Sequence, residues 1–116
     1  MKIVISTFPS KRAASDVGTM VVRDRLAACM TTVSARSIYW WKGEVESTDE
    51  VMALFKTTPQ KVKALVREIE RLHPYDVPEI IELEASHANR GYLKWLGESL
   101  DGPKVSRKAR AVRAPR

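Results

Sequence analysis

Stretches with strand character and stretches with helical spacing follow one another along this 116-residue chain in a single order: strand, helix, strand, strand, helix, strand, helix. That order leaves few folds open. Right-handed crossovers connecting a β-α-β-β-α-β sequence close into a ferredoxin-like sandwich, with four antiparallel strands and the helices on one face. The fold class expected is therefore α/β in the broad sense (α+β), with one additional C-terminal helix. In that arrangement the first and third strands are central. The apolar runs at residues 2–8 and at Val51-Met52-Ala53-Leu54-Phe55 suit that position.

The local signals behind each element are specific. Residues 2–8 form a short β-branched run ended by Pro9-Ser10, and Ser10 is a good N-cap for a helix starting at residue 11. From residue 11 to about 29, apolar residues at Ala13, Val17, Met20, Val21 and Ala28 fall at helical spacing, with Gly18 costing about 1 kcal/mol. Residues 31–41 are rich in Thr, Val, Ile, Tyr and Trp and read as a strand. Lys42-Gly43 signals a turn, and residues 44–56 return as a second strand with an irregularity around Ser47-Thr48-Asp49. Thr58-Pro59 predicts a helix start with Thr as N-cap and Pro at the first helical position, and Val62, Leu65, Val66, Ile69 and Leu72 mark its apolar face. His73-Pro74 stops it. Residues 77–85 predict the fourth strand, in which Ile81, Leu83 and Ala85 alternate with Glu82 and Glu84, so that one side faces water. Asn89 can cap a last short helix carrying Tyr92, Leu93, Trp95 and Leu96.

A formal net charge of +6 invites a nucleic-acid reading, but its location matters more than its size. Residues 1–101 hold fourteen Lys and Arg against fourteen Asp and Glu, while residues 102–116 hold Lys104, Arg107, Lys108, Arg110, Arg113 and Arg116 and no acid. The body is neutral, so the high pI says nothing about its surface. The division expected is one domain over residues 1–100 and a basic tail over 101–116, too poor in apolar residues to pack and expected to be disordered. The tail could meet phosphates, but it has no interleaved aromatics, so base stacking is not indicated. A solubilising extension is the expectation, and nucleic acid is not expected as a partner. Cys29 has no second cysteine to pair with, which favours a reducing compartment. The N-terminal apolar run is shorter than a signal-peptide core or a membrane span. The expected location is cytoplasmic, with no membrane partner.

Five blocks then carry a family likeness: Leu26-Ala27-Ala28-Cys29, Ser37-Ile38-Tyr39-Trp40-Trp41-Lys42-Gly43, Lys56-Thr57-Thr58, His73-Pro74-Tyr75-Asp76-Val77-Pro78-Glu79-Ile80 and Tyr92-Leu93-Lys94-Trp95-Leu96. In this order and spacing they resemble the CutA proteins, the divalent-cation tolerance family, over residues 1–100. The resemblance implies a ferredoxin-like fold assembled as a homotrimer through strand pairing and the last helix. It further implies a link to divalent-metal tolerance with copper as a ligand of some members, a structural kinship with PII-type signal proteins, and no catalytic activity. No cofactor is required on this reading; copper is the one metal it brings. Members with a copper site carry a cysteine in the first strand and a His-His pair before the proline. Here those positions are Ser6 and Leu72-His73, so His73 alone remains of that set.

Individual residues admit two readings each. A metal site needs several N, S or O ligands meeting at one point, and His73 and Cys29 have no ligand-like spacing within one chain. His73 reads as a structural histidine bonded near a helix end and Cys29 as a buried apolar thiol. A trimer is the route by which three copies of either could meet and take a soft cation. Tyr39 and Trp41 could stack on a flat ligand, but aromatics at a strand end in an oligomer suit an interface better. Lys56, Tyr75 and Glu79 are the polar residues expected at a ligand site: a lysine ending an apolar strand is costly unless paired, and the resemblance implies that these positions lie near a cleft between subunits; a structural Lys–Glu ion pair with a tyrosine hydrogen bond is the alternative. No nucleophile-base pair, phosphate-cradling glycine loop or usefully spaced pair of acids is apparent. The function expected is that of a trimeric, non-catalytic protein responding to or binding divalent cations. The rival is a PII-like regulator binding a small anionic ligand in the clefts between subunits.

Overall fold

A computed structural model describes residues 1–105; the expected tail beyond Val105 lies outside the described residues. The elements are β1 (Lys2–Phe8), α1 (Lys11–Arg23), β2 (Cys29–Trp41), β3 (Glu44–Thr57), α2 (Val62–Leu72), β4 (Ile80–Glu84) and α3 (Arg90–Leu100). The sheet is fully antiparallel with strand order β2-β3-β1-β4, so β1 and β3 are central as the apolar runs require.

Alternation along the central strands separates the two faces of the sheet. Val4, Ser6 and Phe8 of β1 lie beside Ala53, Phe55 and Val51 of β3 on one face, where Ala14, Val17 and Val21 of α1 and Leu65 and Ile69 of α2 cover them. The inward polar groups in this core are satisfied: the Thr57 hydroxyl donates to the Leu26 carbonyl at 2.7 Å. Gly18, a cost in the sequence, lies against the flexible end of the Met30 side chain. A Cβ there would come 2.5 Å from the sulfur of Met30 on the facing strand.

Ser10 caps α1 as expected, its hydroxyl accepting from the Ala13 amide. The helix ends at Arg23, however, rather than near residue 29. Arg25 takes a left-handed backbone with φ of 61°, and the Leu26 and Ala27 amides turn back onto the Val21 carbonyl. Cys29 therefore opens β2 and is not at a helix end. The regular part of α2 begins at Val62, because Thr58–Lys61 forms a turn; the Thr58 carbonyl accepts from both Lys61 and Val62, and no side chain caps the helix. The irregularity expected near Ser47 is absent: β2 and β3 stay in register from Cys29↔Lys56 to Trp41↔Glu44. The turn between them is Lys42-Gly43, both at positive φ, which suits the twist of a two-residue hairpin.

β4 is shorter than the expected 77–85, since Pro78 has no amide for the ladder and the Glu79 carbonyl is engaged elsewhere. Its alternation is real, but its faces are the reverse of the simple reading. Glu82 and Glu84 sit opposite Val4 and Lys2, on the side of the helices, where they reach solvent at the sheet edge and pair with the Lys2 ammonium. Ile81 and Leu83 are on the other face, and they are 45% exposed, as is Val33 of β2 on the same face. Helix α3 reaches the end of that face near Cys29, packing Leu96 and Leu100 with Ala28. Beyond Ser34↔Val51 the strands β2 and β3 run on as a free two-stranded arm that carries Ile38, Trp40, Trp41 and Val45 into solvent.

Candidate functional site

Polar side chains gather at two places, at opposite ends of the sheet. The first lies where α2 ends. His73 comes directly after α2, and its ring stacks on Phe8 with centroids 4.3 Å apart, while Tyr75 tilts against it at 5.2 Å. The Tyr75 amide donates to His73 Nδ1 at 3.2 Å. An amide can only donate, so Nδ1 must carry a lone pair and the neutral ring must hold its proton on Nε2. Nε2 lies 3.0 Å from the Ser6 hydroxyl and donates to it, and the hydroxyl in turn donates to the Glu79 carbonyl at 2.7 Å. Ser6 is fully buried, and each of its roles is filled.

This chain of donors has a chemical consequence. His73 offers no lone pair to Ser6, so the two do not form a nucleophile and its base. Both ring nitrogens are engaged, and a cation at either one would have to displace a hydrogen bond. Burial pushes the His73 pKa below the usual value; a bond to the Thr7 backbone and the Glu50 charge pull weakly the other way. The Tyr75 hydroxyl donates to a Glu50 carboxylate oxygen at 2.7 Å. Burial first, and then that carboxylate, raise the phenol far above its ordinary range.

The second place lies at the far end of β3. Lys56 donates to the Thr31 hydroxyl at 2.6 Å and sits opposite Cys29 in the register. The Cys29 sulfur is 3.3 Å from the Tyr92 hydroxyl of α3. Glu50 and Lys56 are six residues apart on one strand, which is roughly 20 Å.

The expected residues are thus divided. Tyr75 and His73 are together, joined by Ser6 and Glu50, which the sequence alone does not assign to the site. Lys56 and Cys29 are together at the other end. Glu79 adjoins the first group through its backbone carbonyl, and its side chain is exposed. Tyr39 and Trp41 lie out on the arm, Tyr39 close enough to add to the upward shift on Tyr75. His73 and Cys29 do not share a site within one chain, and among the described residues no group of three or more His, Cys, Asp or Glu side chains could hold a metal ion. Two signals could have found the missed members: a serine at an inward position between Val4 and Phe8, and an acid immediately before the apolar run of β3.

The family model of the CutA1 divalent ion tolerance protein matches residues 2–99. Divalent-cation tolerance protein CutA of Thermotoga maritima is 42% identical over 100 residues, covering 86% of this chain and 99% of that protein. The Pyrococcus horikoshii protein of the same name is 42% identical over 98 residues, 84% of this chain and 96% of its own length. Among solved structures, CutA1 from Pyrococcus horikoshii superposes with a TM-score of 0.84 at 39% identity, over 88% of this chain and all of that one. A structure described as the periplasmic divalent cation tolerance protein CutA from Archaeoglobus fulgidus does so at 0.83 and 25% identity, over 87% of this chain and all of that one.

Proposed function

The chain belongs to the CutA1 divalent ion tolerance family, and from that premise we propose that it serves divalent-cation tolerance as a non-catalytic homotrimer, making its cation contacts through the assembly. The observation that carries this reading is the uncovered apolar face of the sheet. Ile81, Leu83 and Val33 lie half-exposed on it, and the arm adds Trp40 at 75% and Ile38 at 72% exposure. An apolar patch of this extent on a small domain marks an association surface, and both sheet edges offer unpaired backbone for it. Cys29 lies on that same face, whereas His73 is turned to the helix side with both nitrogens engaged. Of Cys29 and His73, Cys29 is therefore the one a shared surface would present to a cation such as copper. The donor chain through Ser6 supports the absence of catalysis. A cytoplasmic setting rests on the single free cysteine.

Native mass spectrometry with and without excess copper(II) tests the reading. A species of three 13.1 kDa chains that takes up copper in whole numbers, and loses the uptake in Cys29→Ser but not in His73→Ala, is the expected result. A trimer that stays bare removes copper as a direct ligand.

One observation favours a second reading, a PII-like regulator with a small anionic ligand between subunits. Lys56 is on the uncovered face and donates to a neutral hydroxyl; among the described residues it has no carboxylate partner. An organic acid or nucleotide that raises the melting temperature of the protein, but not that of Lys56→Ala, would favour it.

A further inference from the structure

From the rows of side chains on the open face of the sheet, we infer that Lys56 receives the carboxylate of a small monocarboxylic acid whose apolar body lies along that face. The inference rests on the reading of an anionic ligand between subunits and narrows it to one chemical class.

The strand register defines the floor of the site. One cross-strand row runs Cys29, Lys56, Ile3 and Leu83, from β2 through β3 and β1 to β4. Two residues along each strand, and so on the same face, a second row runs Thr31, Leu54, Ile5 and Ile81. The rows lie about 7 Å apart, and each spans about 14 Å across the sheet. Towards β4 both rows are aliphatic. Towards β2 they hold a thiol, a hydroxyl and one ammonium, and neither row contains an acid.

That ammonium is the group left unanswered. Lys56 Nζ donates to Thr31 Oγ1 at 2.6 Å, and among the described residues it has no carboxylate partner. Other cations of the sheet are neutralised: Lys2 pairs with Glu82 and Glu84, and the N-terminal ammonium with Glu84. Open to water, the Lys56 charge is solvated. Covered by a second copy, as in the trimer proposed above, it would be desolvated without a counter-charge. A ligand carboxylate removes that cost. The Thr31 hydroxyl accepts from Lys56 and keeps its own proton to donate, so ammonium and hydroxyl can each meet one carboxylate oxygen. Cys29, 3.3 Å from the Tyr92 hydroxyl of α3, bounds the position on the β2 side.

Charge and surface together set the class. One ammonium balances one negative charge, whereas a phosphate dianion or a nucleotide calls for a second cation that neither row supplies. Beside the ammonium, the aliphatic side chains of both rows offer a floor for an apolar body, and Ile81 and Leu83, each 45% exposed, gain from being covered.

Hexanoate is the probe, with hexanol as its uncharged counterpart and ATP as the polyanion. Melting temperature and titration calorimetry are recorded on the full chain, on Lys56→Met and on Thr31→Val. Sedimentation equilibrium and far-UV circular dichroism report assembly and fold. Hexanoate should raise the melting temperature and hexanol should not. Lys56→Met should lose the rise, and Thr31→Val should weaken binding about fivefold, the worth of one hydrogen bond. Without ligand, Lys56→Met should keep the mass of the parent, because methionine removes a charge from an apolar face. A rise with ATP and none with hexanoate would keep the reading of an anionic ligand and overturn the monocarboxylic acid; no rise with either would overturn both. An equal rise with hexanol, or a rise retained in Lys56→Met, would overturn the role of Lys56. A ligand-free Lys56→Met chain that is folded but lighter than the parent would mean that a carboxylate of a second copy already meets Lys56, and would overturn the inference.

Discussion

His73 accepts at Nδ1 from the Tyr75 amide and donates through Nε2 to Ser6, and the first of these bonds requires the neutral ring. A second proton on Nδ1 would set two N–H groups against each other. Burial lowers the folded pKa below the ordinary 6.5. The unfolded chain thus takes up the proton at higher pH than the folded one, so stability rises with pH where the two differ. The contribution of His73 is fully present above about pH 6.5 and is lost as pH falls through the folded pKa. Urea unfolding between pH 5 and 7.5 should show this slope. His73→Asn keeps a short acceptor for the Tyr75 amide but loses the Phe8 stack and the bond to Ser6. It should cost about 1–2 kcal/mol at pH 7.5 and flatten the slope. A slope unchanged in the variant would assign the pH dependence to other groups. The cluster is legible only in part, for a reason of chain connectivity. His73-Pro74-Tyr75 is one run of sequence and stands out as a motif, whereas Ser6 and Glu50 arrive from other strands, through register alone.

Between elements, Arg25 joins the end of α1 to the end of α3. Its backbone sits at φ 61°, a conformation that favours glycine, while its guanidinium takes up the Ser99 and Pro103 carbonyls. Two effects of opposite sign meet there. Replacing Arg by Gly relieves about 1 kcal/mol of left-handed strain. The two charge-assisted bonds it removes are worth about 1.5–3 kcal/mol each when buried, and less here because one is exposed. Arg25→Gly should therefore still be less stable than the parent chain, and Arg25→Ala less stable again by about 1 kcal/mol, as read from urea midpoints. If Arg25→Gly were instead more stable than the parent by about the 1 kcal/mol of relieved strain, the clamp would contribute nothing. This residue also explains why the end of α1 is not legible in the sequence. Ala27 and Ala28 continue the apolar spacing, and a left-handed turn at an arginine leaves no signal in composition. The β2–β3 hairpin, by contrast, is announced by Lys42-Gly43 between β-rich runs. Lys56 and Tyr75 are expected at one site because both belong to motif blocks. Within one chain their positions along the sheet, set by the lengths of β3 and the loop after α2, keep them apart; the expectation of a shared site concerns clefts between subunits.

At the scale of the whole molecule, alternation in β4 tells which residues share a face but not which face a helix covers. A sheet edge can expose glutamates on its helix side while leaving isoleucine and leucine uncovered on the other, and this one does. An apolar face left open in a single chain is the strongest structural argument for assembly, and it can be tested without a ligand. Ile81 is already 45% exposed within one chain, so a charge there costs the isolated fold little. Buried against two other copies, the same charge would be desolvated without a partner and would cost several kcal/mol at each interface. Ile81→Glu should therefore lower the mass in sedimentation equilibrium from that of the proposed trimer towards one chain while leaving the far-UV circular dichroism unchanged. It should also remove the dependence of the melting temperature on protein concentration that an oligomer shows. Val77→Glu is the control, because Val77 is 78% exposed and lies outside the strands. An Ile81→Glu protein with unchanged mass would mean that the open face is not the contact surface, and the arm with Ile38 and Trp40 would then be the surface to substitute next.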